Sequence, residues 1–325
     1  VTDFKTYYGQ YVSWFNNQLN AYPFPENPAD LYDPIRYAFH AGGKRIRPAL
    51  LAAIADSYGI SRESSRFPAM AIEMIHLFSL IHDDIMDSDN LRHGKPAIHV
   101  KWDINTGILS GDALFTLAFQ TIQKSDLSLR NTILPVFTQS VLHVCEGQSY
   151  DLSFERSDTV RIEDYLQMIE LKTGCLLSGA AQIGALLGNA GEEEIRIIKA
   201  VILTTGRAFQ IQDDLLELTS NPENMGKSLG SDLLEKKKTF LLLTAYSLCK
   251  KKERSLLDSM LTPDYISKHG ISRIRDFFES LGAVKKTEEH IRQELDKAYH
   301  LAGKLADPQE KLIRSFTSFI MSRTK

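Results

Sequence analysis

Three cysteines, Cys145, Cys175 and Cys249, are all that the 325 residues contain. Their odd number and the lack of any Cys-x-x-Cys spacing exclude a disulfide-built scaffold, leave a zinc site unsupported, and fit a reducing, cytoplasmic setting. Charge of one sign is also missing. Lys and Arg number 38 against 41 Asp and Glu, a formal net charge of −3. A nucleic-acid platform normally carries a strong positive excess, so no nucleic-acid partner is expected. Long apolar runs are absent too. The longest uncharged stretch, Thr173 to Gly191, holds Ser178, Gln182, Asn189 and five glycines. That makes a poor membrane span and reads instead as a buried helix at close helix–helix contacts, so no transmembrane segment is expected. No secretory signal is read at the start, and Val1 is taken as a trimmed beginning. Valine is scarce, nine against 40 leucines. Period-2 alternation is hard to find, which speaks against strands.

Helical spacing, in contrast, recurs throughout. Leu50, Ile54, Ala55 and Tyr58 repeat at three and four residues, as do Ile72, Ile75, His76 and Ser79. Breaks are expected at Pro23-Phe24-Pro25, Gly42-Gly43, Pro68, Gly94-Lys95-Pro96, Gly107 and Asn221-Pro222. Helical segments of roughly 12 to 28 residues lie between them. With 43% hydrophobic and 24% charged residues, the chain has ordinary globular composition. The expectation is an all-α protein, one large bundle spanning residues 1–325. Lys250 to Arg254 reads as a solvated connection.

Two acidic clusters echo each other 130 residues apart. Asp83-Asp84-Ile85-Met86-Asp87 ends one apolar helical run, and Asp213-Asp214-Leu215-Leu216-Glu217 ends another. At about 100° per residue, Asp83 and Asp87 lie about 40° apart on one helix face, as do Asp213 and Glu217. Like charges at that spacing repel, so something must compensate them. Oxygen-only ligands point to Mg²⁺, which takes one or two carboxylates and fills its shell with water and phosphate oxygens. A solvated acidic helix end is the plainer reading of either cluster alone; a pair of them looks like a clamp on a diphosphate. Basic groups complement them: Gly42-Gly43-Lys44-Arg45-Ile46-Arg47-Pro48 opens a helix, where anions are favoured, and Lys44 and Arg47 share a face. Further cations stand at Arg92, Lys172, Lys227 and Lys236-Lys237-Lys238.

In order and spacing, these pieces resemble the head-to-tail trans-isoprenyl diphosphate synthases over roughly residues 35 to 245. The matching segments are GGKRIRP at 42–48, HDDIMD at 82–87, LRHGKPAIH at 91–99, KTG at 172–174, and FQIQDDLLE at 209–217 with GKSLGSDL and KKT after it. The resemblance implies an all-α homodimer with a deep apolar cavity in each subunit's bundle. It implies that an allylic diphosphate binds between the clusters through three Mg²⁺ ions and ionises. The double bond of isopentenyl diphosphate then attacks the cation, and a proton is lost. Carried over by residue, Asp83, Asp87 and Asp213 are metal ligands, with Asp84, Asp214 and Glu217 in support. Arg92, Lys172 and Lys237 grip the allylic diphosphate, with Lys227 close by. Lys44, Arg47 and His76 hold isopentenyl diphosphate, and Thr173 and Gln210 line the cation. His76 has a competing reading as a core histidine.

Two residues depart from the family pattern. His93 stands where a second arginine is usual, and Glu217 where aspartate is preferred. A shorter, mostly neutral imidazole replaces that arginine only in part. Product length is expected to depend on Phe78 and Ser79, five and four residues before Asp83. In the family an aromatic at the first position with a small neighbour looks like a C20 pattern, with C15 the alternative. A single-helix projection instead favours Ser79 as the floor, because Phe78 lies about 140° from Asp83. Competing functions are a class I terpene cyclase, an inactive regulatory subunit, and a non-enzymatic helical module. A cyclase does not need Lys44, Arg47 and His76 for a second diphosphate. A regulatory subunit should have lost charged residues that are present here.

Overall fold

The structure, a computed structural model, describes residues 3–157, 159–219 and 237–322. It is all-α apart from one short hairpin, as the leucine-rich, valine-poor composition leads one to expect. Helices α1 (Phe4–Asn20), α2 (Ala29–His40), α3 (Ile46–Ser57) and α4 (Arg66–Met86) precede the hairpin strands β1 (Leu91–Arg92) and β2 (Lys95–Pro96). Next come α5 (Ile98–Lys101), α6 (Ile104–Ile122) and α7 (Leu127–Glu155). Then follow α8 (Ile162–Ile169), a π-helical turn (Glu170–Gly174), α9 (Cys175–Leu187) and α10 (Glu192–Thr219). The C-terminal part forms α11 (Phe240–Leu248), α12 (Lys251–Met260), α13 (Pro263–His269), α14 (Ile271–Ser280), α15 (Ala283–Ala302) and α16 (Gln309–Met321).

Packing divides the described residues into two compact units. The first holds those up to Val144 together with Leu176–Ala200 and Ala302–Phe316; the second holds Cys145–Cys175, Val201–Leu301 and those from Thr317. The core of the first is built on α3, α4 and α6, with Leu50, Leu51, Ile54, Ile72, Met74 and Leu114 fully buried. The second packs Tyr165, Ile211, Phe240, Leu257, Ile274 and Phe278 together. Caps fix several helix starts. Asp3 accepts from the Thr6 N–H at 2.9 Å, and Asp103 from the Thr106 N–H at 2.8 Å.

Several sequence expectations change here. Gly107 does not break a helix. It lies inside α6, where a Cβ would fall 2.8 Å from Ile85 Cδ1, so its lack of a side chain serves the approach of α4. Pro68 sits in the first turn of α4, where the missing N–H costs nothing. Lys250 to Arg254 is not a bare connection either: Lys250 caps α12, and its N–H donates to Glu253 at 2.7 Å. The uncharged stretch from Thr173 is indeed a buried helix at close contact. At Gly184 a Cβ would lie 2.4 Å from the Leu51 carbonyl oxygen of α3. Among the described residues no helix is long and apolar enough to cross a membrane.

Candidate active site

The predicted site residues fall into two groups, one in each unit. In the first unit α4 carries His76, Phe78, Ser79 and the acidic cluster at its C-terminal end. Asp83 and Asp87 are partly exposed one turn apart, and the Asp87 N–H donates to the Asp83 carbonyl at 2.8 Å. Asp84 points elsewhere. It is 4% exposed and accepts from Arg92 Nε at 2.8 Å. Burial pushes its carboxyl above the usual range, and Arg92 opposes that shift. Arg92 also reaches Asp89 at 3.4 Å. The hairpin that presents Arg92 turns through His93 (φ 52°) and Gly94 (φ 73°). Positive φ at both centres is the geometry of a tight two-residue turn. Burial, then Arg92, Arg45 and Lys44, lower the His93 pKa, so this ring is neutral at pH 7.

The basic segment before α3 separates its three cations. Gly42 (φ 101°) and Gly43 (φ 131°) end α2's approach, and Arg45 adopts φ 48°. That left-handed step turns Arg45 inward, where Nη1 meets Glu73 at 2.5 Å and Nη2 donates to the Phe39 carbonyl at 2.9 Å. Both side chains of this ion pair are 2% exposed. Lys44 remains exposed, and Arg47 Nη1 lies 3.0 Å from His76 Nε2. Since guanidinium only donates, Nε2 accepts and the proton sits on Nδ1. Burial, then Arg47 and Arg45, push His76 well below its ordinary pKa. The ring is thus an acceptor that orients Arg47.

Below the cluster, four phenylalanines form a run. The Phe78 ring centroid is 5.4 Å from Phe115 on α6, Phe115 is 5.1 Å from Phe119, and Phe119 is 5.2 Å from Phe137 on α7. Ser79 turns its hydroxyl back to the His76 carbonyl at 2.8 Å. His82 stacks edge-on against Phe78 at 4.9 Å, and its Nε2 donates to the Ile108 carbonyl at 3.2 Å.

In the second unit, a cavity of about 140 Å³ is lined by Lys172, Thr173, Gln210, Asp214 and Lys237, along with Asp151 and Tyr165. Lys172 and Thr173 ride on the π-helical turn, where the Cys175 N–H donates to the Glu170 carbonyl five residues back. Such turns widen a helix by one residue and recur at functional sites. Arg207 on α10 clamps Glu170 and donates to Glu294 at 2.8 Å. Lys172 Nζ donates to Asp151 at 2.6 Å. Asp213 is partly exposed, and Glu217, one turn on, is buried at 9% exposure. Lys227 lies outside the described residues. Asp151, Tyr165 and Glu73 went unnoticed in the sequence, and Arg45 was read only as part of the basic segment at 42–48, not as the partner of Glu73. Tyr165, seven residues before Lys172, was the one that helical spacing offered.

Among the described residues, no three carboxylate, imidazole or thiolate groups converge as a ready metal cage. Each unit carries a pair of carboxylates one helical turn apart, and such oxygen-only donors suit a hard cation that completes its shell with water and phosphate oxygens. The residues present therefore fit Mg²⁺.

Residues 28–276 match the family described as polyprenyl synthetase. The chain belongs to the polyprenyl synthetase family. Geranylgeranyl diphosphate synthase of Sulfolobus acidocaldarius is 33% identical over 329 residues, covering 99% of each chain. Geranylfarnesyl diphosphate synthase of Natronomonas pharaonis is 40% identical over 238 residues, 68% of this chain and 70% of that one. The crystal structure of geranylgeranyl pyrophosphate synthetase from Pyrococcus horikoshii superposes with a TM-score of 0.90 at 31% identity, covering 99% and 98% of the two chains. As a polyprenyl synthetase of the trans-isoprenyl diphosphate synthase type, this all-α protein is a prenyltransferase. Its reaction class joins an allylic diphosphate to isopentenyl diphosphate.

Proposed function

We propose that this polyprenyl synthetase makes geranylgeranyl diphosphate (C20) by head-to-tail condensation. The phenylalanine run from Phe78 through Phe115 and Phe119 to Phe137 carries the reading of product length. The rings touch one another in series, and in this reading they supply the apolar stop, with Phe78, five residues before Asp83, as the first ring a growing chain meets. The small, inward-bonded Ser79 leaves that stop to Phe78.

In this reading Lys172, Lys237, Arg92 and Lys227 hold the allylic diphosphate, and Lys44 and Arg47 hold isopentenyl diphosphate. His76 keeps Arg47 in place and His93 adds a neutral contact. Mg²⁺, three ions with substrate bound, would be held by Asp83, Asp87 and Asp213, with Asp84, Asp214 and Glu217 in support through water or directly. It supplies charge neutralisation for the departing diphosphate. Thr173 and Gln210 face the allylic cation, and apolar walls keep water from it. We assign the whole chain to one catalytic domain that works as a homodimer in the cytoplasm. The exposed apolar residues of α6, Ile104 at 55%, Ile108 at 41% and Leu109 at 59%, support self-association.

The test incubates the purified chain with Mg²⁺, isopentenyl diphosphate and farnesyl diphosphate, followed by mass analysis of the product. A C20 diphosphate is expected, and Phe78→Ala should extend it. Farnesyl diphosphate left unextended, after its own formation from shorter starters, would make this a C15 enzyme. A cyclic hydrocarbon or no turnover would overturn the condensation itself. An unchanged product from Phe78→Ala would remove Phe78 as the stop.

A further inference from the structure

Glu73 has the wrong charge for its place. It is 2% exposed on α4, three residues before His76, beside the cations to which the proposed function gives isopentenyl diphosphate. A buried carboxylate there opposes the incoming anion unless its own charge is cancelled. Arg45 cancels it. Arg45 Nη1 meets Glu73 Oε1 at 2.5 Å, Nη2 donates to the Phe39 carbonyl at 2.9 Å, and Nε donates to Asn16 Oδ1 at 3.2 Å. All three guanidinium nitrogens are thus engaged within the protein, with the side chain 2% exposed. Arg45 is turned away from any ligand.

Two atoms of this neighbourhood remain open. Glu73 Oε2 and Arg47 Nε are both buried and have no hydrogen-bond partner. Arg47 Nη1 lies 3.0 Å from His76 Nε2, and His76 follows Glu73 on α4 by about one helical turn, about 60° around the axis. Burial lowers the Arg47 pKa and the Glu73 carboxylate opposes that shift, so its charge reaches the second guanidinium. The planar guanidinium fork suits carboxylate and phosphate oxygens alike. Glu73 is therefore a rival to the substrate for Arg47, set inside the protein.

We propose that Arg45 is a positioning residue that occupies Glu73 and so leaves Arg47 to the diphosphate of isopentenyl diphosphate. The inference rests on the proposed function, in which Arg47 holds that substrate. It also gives a reason for the left-handed φ of 48° at Arg45. Of two arginines only two residues apart, one is turned inward to the carboxylate, and the other stays with His76. Without Arg45, Glu73 is a buried, unpaired charge, and Arg47 is the guanidinium that feels it. Forming that pair takes Arg47 from the ligand. Removing a cation then weakens anion binding although that cation never touches the anion, and removing the acid as well restores it.

The experiment measures the Kd of isopentenyl diphosphate by calorimetry, and kcat and KM with farnesyl diphosphate and Mg²⁺. Arg45→Met should weaken isopentenyl diphosphate about tenfold, the scale of one hydrogen bond to a charged group, and leave kcat and the KM for farnesyl diphosphate within about twofold. Arg45→Met with Glu73→Leu should return the Kd to within about twofold of the parent. Arg47→Ala adds a readout that damage to the fold does not move. It should weaken binding about tenfold in the parent and in the double variant, yet add nothing in Arg45→Met, where Arg47 is already engaged. Weak binding by the double variant overturns the proposal, because Arg45 then acts by its own contact or by shaping the loop; this result decides even where Arg45→Met alone does not fold. Parent-like binding by folded Arg45→Met overturns it too, as does an equal loss for both substrates. Each of these results leaves prenyl transfer by the parent intact. Absence of prenyl transfer by the parent would overturn both readings.

Discussion

Gly147→Ala separates two opposed effects of known size. Gly147 lies inside α7, where alanine is the better helix former by about 1 kcal/mol, and on propensity alone the change should stabilise. Its surroundings say otherwise. A Cβ there would lie 2.2 Å from Lys172 N, 2.6 Å from Lys172 Cα and 2.8 Å from the Leu171 carbonyl carbon, where ordinary contacts begin at 3.4 Å. The neighbours are backbone, so no side chain can rotate away. The π-helical turn itself must retreat by about 1 Å, and overpacking of that kind costs about 3 kcal/mol. Steric cost wins, for a net loss of about 2 kcal/mol. The retreating turn carries Lys172 and Thr173, and a displacement of about 1 Å at reacting groups can cost about 100-fold in rate. Urea denaturation and kcat/KM with farnesyl diphosphate read the two effects. Gly9→Ala on α1 is the control, since nothing lies within 4 Å of its added Cβ; it should gain about 1 kcal/mol and leave activity alone. If Gly147→Ala is as stable as Gly9→Ala and equally active, the close approach of α7 to the turn is wrong.

Three further outcomes follow from the first unit. His93→Arg restores a permanent charge where burial and three cations keep the imidazole neutral; KM for isopentenyl diphosphate should fall about threefold or more, and an unchanged KM would show that His93 does not face that substrate. Arg45→Met leaves Glu73 as an unpaired buried charge and should cost about 3 kcal/mol by chemical denaturation, whereas Arg45→Met with Glu73→Leu should recover most of it. Equal loss in the single and double variants would mean that the ion pair itself stabilises. His76 has a folded pKa well below its unfolded value near 6.5. The unfolded chain therefore binds a proton that the folded one refuses. Stability is whole above pH 6.5 and declines as pH falls below it, by at most about 1.4 kcal/mol per pH unit from this residue. Replacing His76 with Gln should flatten that acid limb in pH-dependent melting curves; an identical slope would show that the ring is not held neutral.

Both acidic clusters were legible because local spacing encodes them: Asp83 and Asp87, or Asp213 and Glu217, share a helix face whatever else the chain does. The all-α class was legible from the leucine-to-valine ratio for the same reason. Features that depend on partners distant in sequence were not. Arg45 looks like its neighbours Lys44 and Arg47, and only its left-handed φ sends it inward to Glu73, 28 residues away. Tyr165 meets Asp214 across 49 residues and Lys172 meets Asp151 across 21; no periodicity marks such pairs. Gly107 read as a break because glycine disfavours helices, yet contact with Ile85 outweighed that preference. The hairpin was missed because two paired residues on each side leave no alternation to detect, though its His93-Gly94 centre is a turn signal.

The wide turn at Glu170–Gly174 joins α8 and α9 with one residue more than a regular coil needs. Deleting a single residue there would not tear the rod. It would let the backbone relax into ordinary α-geometry, a gain in regularity, while rotating Thr173 by about 100° relative to α8. Heat tolerance and turnover would then move in opposite directions in one variant. A screen that ranks variants by melting temperature would select such a deletion, and a screen that counts turnover would discard it.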